Sequence, residues 1–271
     1  MNEPVLTGVP KTALGVARIR AGESKRPDRL FDDPYAATFV AAMPDAYAAD
    51  ARTRSAGSVG TRIALQVVVR TKFYDDYLLA AAADGIRQIV LLAAGLDTRA
   101  FRLPWPDGTH VYELDLPETT SFKDDVLTSA NAHPRCRRHV VVADLTADWP
   151  SALTDAGFDA RQPTAWLVEG LLVYLTHDDA ARMLETVAAL SAAGSRLSCE
   201  LGRTAMQLAA QSAEDGASEA TKLWQGGIPE ITAWLDERGW STEQHNLGTL
   251  AAGYGRATGI DSTSGFVIAR R

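Results

Sequence analysis

The chain has 271 residues, of which 46% are apolar and 23% charged, a composition that excludes disorder as the starting assumption and is large enough for a core without staples. Its 27 basic residues against 34 acidic ones leave a net charge of −7, the wrong sign for a protein that holds nucleic acid through phosphates, so no nucleic-acid partner is expected. No apolar run reaches membrane-spanning length, and Met1-Asn2-Glu3-Pro4 lacks the basic start of a secretory signal; no membrane partner and a cytoplasmic home are expected.

Taken in chain order, residues 12–21 carry apolar positions at three- and four-residue spacing and predict a helix that Pro27 bars from continuing. Asp33-Pro34 predicts a second helix start, with Asp33 as cap and Pro34 in the first turn, running to about Met43. A long helix is expected from Thr61 to Asp84, stopped by Gly85. These segments make an N-terminal helical extension, 1–84.

The unbroken apolar stretch 88–94 has the length and character of a buried parallel strand. Further strands are expected at 110–115, 138–143, 164–169, 196–201, 242–247 and 264–269, with helices at 118–130, 178–193 and 228–238. Alternating strands and helices predict an α/β fold: a Rossmann-like, doubly wound, mainly parallel seven-stranded sheet. The core would occupy 85–202 and 228–271. The segment 203–227 breaks the alternation and is read as a helical lid or acceptor-binding insert.

Doubly wound sheets bind ligands at the carboxyl ends of their strands, which directs attention to two places. The first strand ends at Ala94-Gly95, where glycine permits a sharp turn and close approach. The second ends in Asp115, 20 positions after Gly95. That is where this fold meets ribose hydroxyls, and a carboxylate accepts from both at once. A dinucleotide would want several glycines in the first loop, but Gly95-Leu96-Asp97-Thr98-Arg99-Ala100 has one glycine and an aspartate where pyrophosphate would come. S-adenosylmethionine has no phosphate, and its ammonium and sulfonium are compatible with that carboxylate. The rival readings are an NAD(P)-dependent oxidoreductase, whose further glycines and Tyr-x-x-x-Lys are missing, and a non-catalytic binding protein on the same scaffold.

Four separated blocks, in order, carry a family resemblance: residues 91–99 (LLAAGLDTR), 112–117 (YELDLP), 143–145 (ADL) and 169–175 (EGLLVYL). They resemble the leucine carboxyl methyltransferase family, and within it an actinobacterial branch that includes polyketide O-methyltransferases. Residues 12–14, 20–24, 30–36 and 69–75 match the same branch. The resemblance implies an S-adenosylmethionine-dependent O-methyltransferase acting on a carboxylate or hydroxyl of a small molecule, such as a polyketide or other secondary metabolite. It also implies roles. Arg70 would pair with the cofactor carboxylate and Ala94-Gly95 would face its methionine moiety. Asp115, with Leu116 beside it, would hold the ribose. Asp144 and Leu145 would border the adenine, and Glu169 would take the ammonium or face the acceptor. Lys11 and Lys25 are candidates for a lysine that eukaryotic members use on the cofactor carboxylate.

A carboxylate acceptor is ionised near neutral pH, whereas a phenol would need a base. Glu169, His110 and His177 are candidates for that base, and Tyr174 for a hydrogen bond to the acceptor. The two cysteines, Cys136 and Cys199, form no metal or disulfide pattern and are both read as structural; the alternative for Cys136, among Arg135, Arg137 and Arg138, is a lowered thiol pKa.

Overall fold

The computed structural model describes residues 9–42, 58–201, 225–256 and 264–271. Helices α1 (Val9–Ser24), α2 (Ala36–Ala41) and α3 (Ser58–Ala83) precede the sheet. There follow β1 (Gln88–Leu92), α4 (Arg99–Arg102), β2 (His110–Asp115), α5 (Pro117–Ser129), β3 (Arg137–Val142), α6 (Trp149–Asp155) and β4 (Thr164–Val168). A 3-10 turn (Leu172–Tyr174), α7 (His177–Ala189), β5 (Arg196–Glu200), α8 (Ile231–Asp236), β6 (Ser241–Asn246), α9 (Leu247–Gly253) and β7 (Gly265–Arg270) complete the chain.

The seven strands form one sheet in the order β3-β2-β1-β4-β5-β7-β6. The first five are mutually parallel, while β7 runs antiparallel to both β5 and β6. Every residue of β1 and β4 is buried, and the alternation of side chains divides them between two cores. Ile89 and Leu91 with Ala165 and Leu167 pack on the face covered by α1, α3 and α9. Val90 and Leu92 with Trp166 and Val168 pack on the face of α6, α7 and α8. Both faces are thus covered, the condition under which parallel strands read as continuous apolar runs.

Several boundaries differ from expectation for identifiable reasons. β1 stops at Leu92 because Ala93 and Gly95 turn with φ of 55° and 52°. α2 begins at Ala36 rather than Pro34: Asp33 accepts from the amides of Tyr35 and Ala36 while its carboxylate also pairs with Arg20. α7 ends at Ala189, and Gly194, at φ 86°, belongs to the turn that follows. Helices α4, α6 and α9 were not expected. Of the insert expected at 203–227, only Gln225, Gly226 and Gly227 fall among the described residues, and Met43, the expected end of the second helix, lies outside them. No helix of the described residues is long and apolar enough to cross a membrane.

Candidate active site

In this strand order the chain winds outward from β1 in one direction and, by way of β4, in the other. β1 and β4 are neighbours, so the crevice between their carboxyl ends is the topological switch point. A cavity of about 400 Å³ opens there, within the range of small-molecule sites. Arg70, Ala94, Gly95, Asp115, Leu116, Asp144, Leu145, Glu169 and Tyr174 all line it, although they come from six separate stretches of chain.

The turn after β1 is held from β2. The amide of Gly95 donates to Asp115 Oδ2 at 2.5 Å and the amide of Leu116 to Oδ1 at 2.8 Å. Burial pushes the Asp115 carboxyl above its ordinary value, and these two amides offset only part of that. Asp144 Oδ1 accepts from the Thr146 amide at 2.8 Å and its hydroxyl at 2.7 Å, which holds this exposed carboxyl below its usual range.

Beneath the cavity lies a cluster of charges. Arg70, from α3, donates from Nε to Glu169 Oε1 at 2.8 Å and from Nη1 to Glu200 Oε1 at 3.2 Å. Glu169 Oε2 accepts from Arg99 Nη1 at 2.7 Å. Arg99 also binds Asp97 and, through Nε, Asp75 Oδ1 at 2.7 Å; Arg102 makes a two-pronged pair with Asp75. Burial alone would push Glu169 and Asp97 up, but Arg99 in both cases, with Arg70 at Glu169, outweighs it and holds both carboxyls low. Glu200 goes the other way: burial and the nearby Glu169 raise it more than Arg70 lowers it.

The structure does not bring the histidines to this cavity. His110 starts β2 at the amino end of the sheet, opposite the crevice, where Nδ1 lies 3.0 Å from His139 Nε2 and the two rings stack. His177 is exposed at the start of α7 beside Asp178. Lys25 is exposed, and the Lys11 side chain lies outside the described residues. Tyr174 sits at the end of the 3-10 turn, and its carbonyl accepts from Gln225. The insert's Gln225 and Gly226 amides also reach the Val173 carbonyl, at 2.7 and 3.3 Å.

One reading changes. Asp97 is not an unpaired charge facing a ligand, because Arg99 neutralises it. It bars pyrophosphate by another route: its Oδ1 accepts from the amide of Arg99 at 2.6 Å, occupying the first N–H group of α4 that a phosphate would seek. Cys136, in turn, has no activated thiol. Burial, aided by Glu113 against the opposing Arg138, pushes it up to about 12, and Cys199 is raised by burial as well. Titration of the native protein with a disulfide reagent at about pH 8 should therefore modify neither thiol until denaturant is added, since the thiolate is the reactive form. Rapid native labelling of Cys136 would contradict the placement.

Sequence reading missed Glu200 and the central place of Arg99. Glu200 could have been found, since it closes β5 as Glu169 follows β4: a carboxylate at the end of an apolar strand, where an unpaired charge is costly.

The fold is one that Rossmann-like methyltransferases share. A DUF574 family protein from Streptomyces avermitilis superposes with a TM-score of 0.62 at 16% identity, covering 96% of this chain and 97% of its own. A Thermobifida fusca protein described as a putative methyltransferase gives 0.57 at 17% identity, with coverage of 84% and 89%. The magnesium protoporphyrin IX methyltransferase of Synechocystis, with S-adenosylhomocysteine bound, gives 0.51 at 15% identity over 79% and 87%. Residues 13–188 match the leucine carboxyl methyltransferase family, and the chain belongs to it. A Parafrankia protein named as a putative S-adenosyl-L-methionine-dependent methyltransferase is 49% identical over 253 residues, covering 90% of this chain and 80% of the relative. A Streptomyces coelicolor protein of the same name is 44% identical over 261 residues, covering 92% and 89%. The protein is an S-adenosylmethionine-dependent methyltransferase, and the oxidoreductase alternative is not favoured.

The residues present fit that cofactor. The described buried cluster holds three arginines (70, 99, 102) against four carboxylates (75, 97, 169, 200), one negative charge in excess when all are ionised. S-adenosylmethionine carries one net positive charge. A guanidinium has five N–H donors, so Arg70, with two engaged by Glu169 and Glu200, retains donors for a carboxylate.

Proposed function

We propose that the enzyme transfers the methyl group of S-adenosylmethionine to an oxygen, carboxylate or hydroxyl, of a small organic molecule. The observation that carries this reading is the lining of the cavity, which combines the polar side chains of Arg70, Asp115, Asp144 and Glu169 with the apolar ones of Leu171, Leu172, Val173, Leu175 and Leu201. The polar residues suit a charged nucleoside cofactor. The apolar ones suit an acceptor with an apolar body, the usual character of a small-molecule pocket.

When bound, the cofactor supplies an electrophilic methyl group on a sulfonium. The chain's own residues hold and align. Arg70 takes the cofactor carboxylate and Glu169 the ammonium, next to Ala94 and Gly95. Asp115 accepts from the ribose hydroxyls beside Leu116. Asp144 accepts from the adenine amine through the oxygen that Thr146 leaves free, and Leu145 covers the ring. Tyr174 offers its phenol to the acceptor. Alignment and exclusion of water are the main contributions to a displacement of this kind.

Within this reading a carboxylate acceptor is favoured over a phenol. No histidine of the described residues lines the cavity, and Glu169, held anionic by Arg99 and Arg70, is a weak base. A carboxylate is already ionised and requires no base. The oxygen acceptor is further supported by the carboxyl chemistry for which the family is named.

The test is to incubate the purified enzyme with methyl-tritiated S-adenosylmethionine and a small-molecule extract of actinobacterial cultures. Label should appear in low-molecular-weight products and be released as methanol by mild alkali, the behaviour of an ester. Alkali-stable label on oxygen would mean a hydroxyl acceptor. Label found only on nitrogen, carbon or protein would defeat the proposal.

A further inference from the structure

Glu200 closes β5 next to the end of β4, and one of its oxygens makes two contacts. Oε1 accepts from Arg70 Nη1 at 3.2 Å and from the backbone amide of Gly170 at 2.7 Å. It thereby ties α3, β5 and the turn after β4 together at one atom. The turn itself lies against the guanidinium: Gly170 has φ 66°, and a Cβ there would stand 3.5 Å from Arg70 Nη1 and 3.7 Å from Nη2. Glu169 holds the other edge of the same group through Nε at 2.8 Å. A planar guanidinium held at Nε and Nη1 has lost its freedom to rotate, and Nη2 is left as the edge available for a ligand. Both Arg70 and Glu200 line the cavity and are largely buried, so the geometry is set before a ligand arrives.

We propose that Glu200 is a positioning residue: by holding Arg70 Nη1 and the Gly170 amide on one oxygen, it fixes the guanidinium where the carboxylate of S-adenosylmethionine is received. This rests on the reading that Arg70 takes that carboxylate. The claim concerns where an oxygen sits, not the charge it bears, and the two are separable. Glu200→Gln keeps an acceptor oxygen at the same reach without the charge. Glu200→Asp keeps the charge but withdraws the oxygen by one methylene. Glu200→Leu removes both.

Calorimetric titration with two probes decides. S-adenosylhomocysteine has the carboxylate; 5′-methylthioadenosine has the same adenosine and thioether without the amino-acid part. Glu200→Asp and Glu200→Leu should weaken S-adenosylhomocysteine about tenfold, and Glu200→Gln by no more than about threefold. All three should bind 5′-methylthioadenosine as the parent does, which also shows that each is folded. If Glu200→Leu does not fold, the Asp and Gln variants decide alone. Normal S-adenosylhomocysteine binding by Glu200→Asp, with loss in Glu200→Gln, would overturn the proposal in favour of a charge effect. Equal weakening of both probes would reduce Glu200 to a structural role, and no change in any variant would remove it from cofactor binding. Arg70→Ala is titrated alongside. If its preference for S-adenosylhomocysteine over 5′-methylthioadenosine equals the parent's, the Arg70 reading fails. If that preference is lost while Glu200→Asp binds normally, only the Glu200 inference fails.

Discussion

Arg99→Met should destabilise the protein by about 3–5 kcal/mol, the cost of breaking a buried ion pair and leaving its partner charges uncompensated. Arg99 is 1% exposed and touches three carboxylates, Asp75, Asp97 and Glu169. Methionine fills much of the same volume, so the loss is electrostatic rather than a cavity effect. The pH dependence separates the two. In the parent, Glu169 and Asp97 are held below their ordinary values. A carboxylate with a depressed folded pKa contributes stability that is present above its unfolded value and lost as pH falls through the folded one. Without Arg99, burial dominates at these groups, and the folded variant takes up protons at higher pH than the unfolded chain does. The gap between parent and variant, measured by urea unfolding, should therefore be widest near neutrality and narrow below about pH 5, as the carboxyls lose their charge. A gap independent of pH would mean that packing, not charge, is what Arg99 supplies.

That network also marks the limit of what the sequence discloses. β1 is legible because Gln88–Leu92 is buried throughout, and an apolar run of that length has few other uses. The end of α3 is legible because Gly85, at φ 97°, is the residue such a stop requires. Asp115 is legible because it ends the second strand about 20 residues after the first-strand glycine, where folds of this kind carry an acidic residue, and the structure adds the Gly95 amide hydrogen-bonded to its carboxylate. The roles proposed for Arg70 and Asp144 come from family resemblance and not from the residues themselves. In the sequence Arg99 stands out only as the end of a motif, because two of its partners, Asp75 and Glu169, lie 24 and 70 positions away and no local spacing connects them. His110 shows the reverse error. A histidine at the edge of a strand looks available for catalysis, yet position 110 is the wrong end of β2, and only the direction of the strand says so. The short helix α6 was overlooked although Asp148 caps it and Pro150 sits in its first turn, signals obscured by its brevity.

Asp115→Ala should weaken S-adenosylmethionine binding tenfold or more, about 1.4 kcal/mol, because the residue both shapes the turn after β1 and faces the ribose in the proposed pose. The two contributions can be told apart. Adenosine and 2′,3′-dideoxyadenosine differ only by the two hydroxyls. The parent should prefer adenosine, and Asp115→Ala should lose that preference, a coupling that a distorted turn alone would not produce. Acidity supplies a second check. Burial holds the Asp115 carboxyl above its ordinary value, so it gains a proton before an exposed aspartate would. A group raised in the folded state contributes stability that is full below its unfolded value and lost as pH rises through the folded one, so protonation does not unfold the protein at this position. It does remove an acceptor that two hydroxyls require. Affinity of the parent should therefore fall as pH drops through the raised value, in a window where the fold persists, and Asp115→Asn should show no such fall. An Asp115→Ala variant with unchanged affinity would move the ribose away from β2, and with it the whole placement of the cofactor along the sheet.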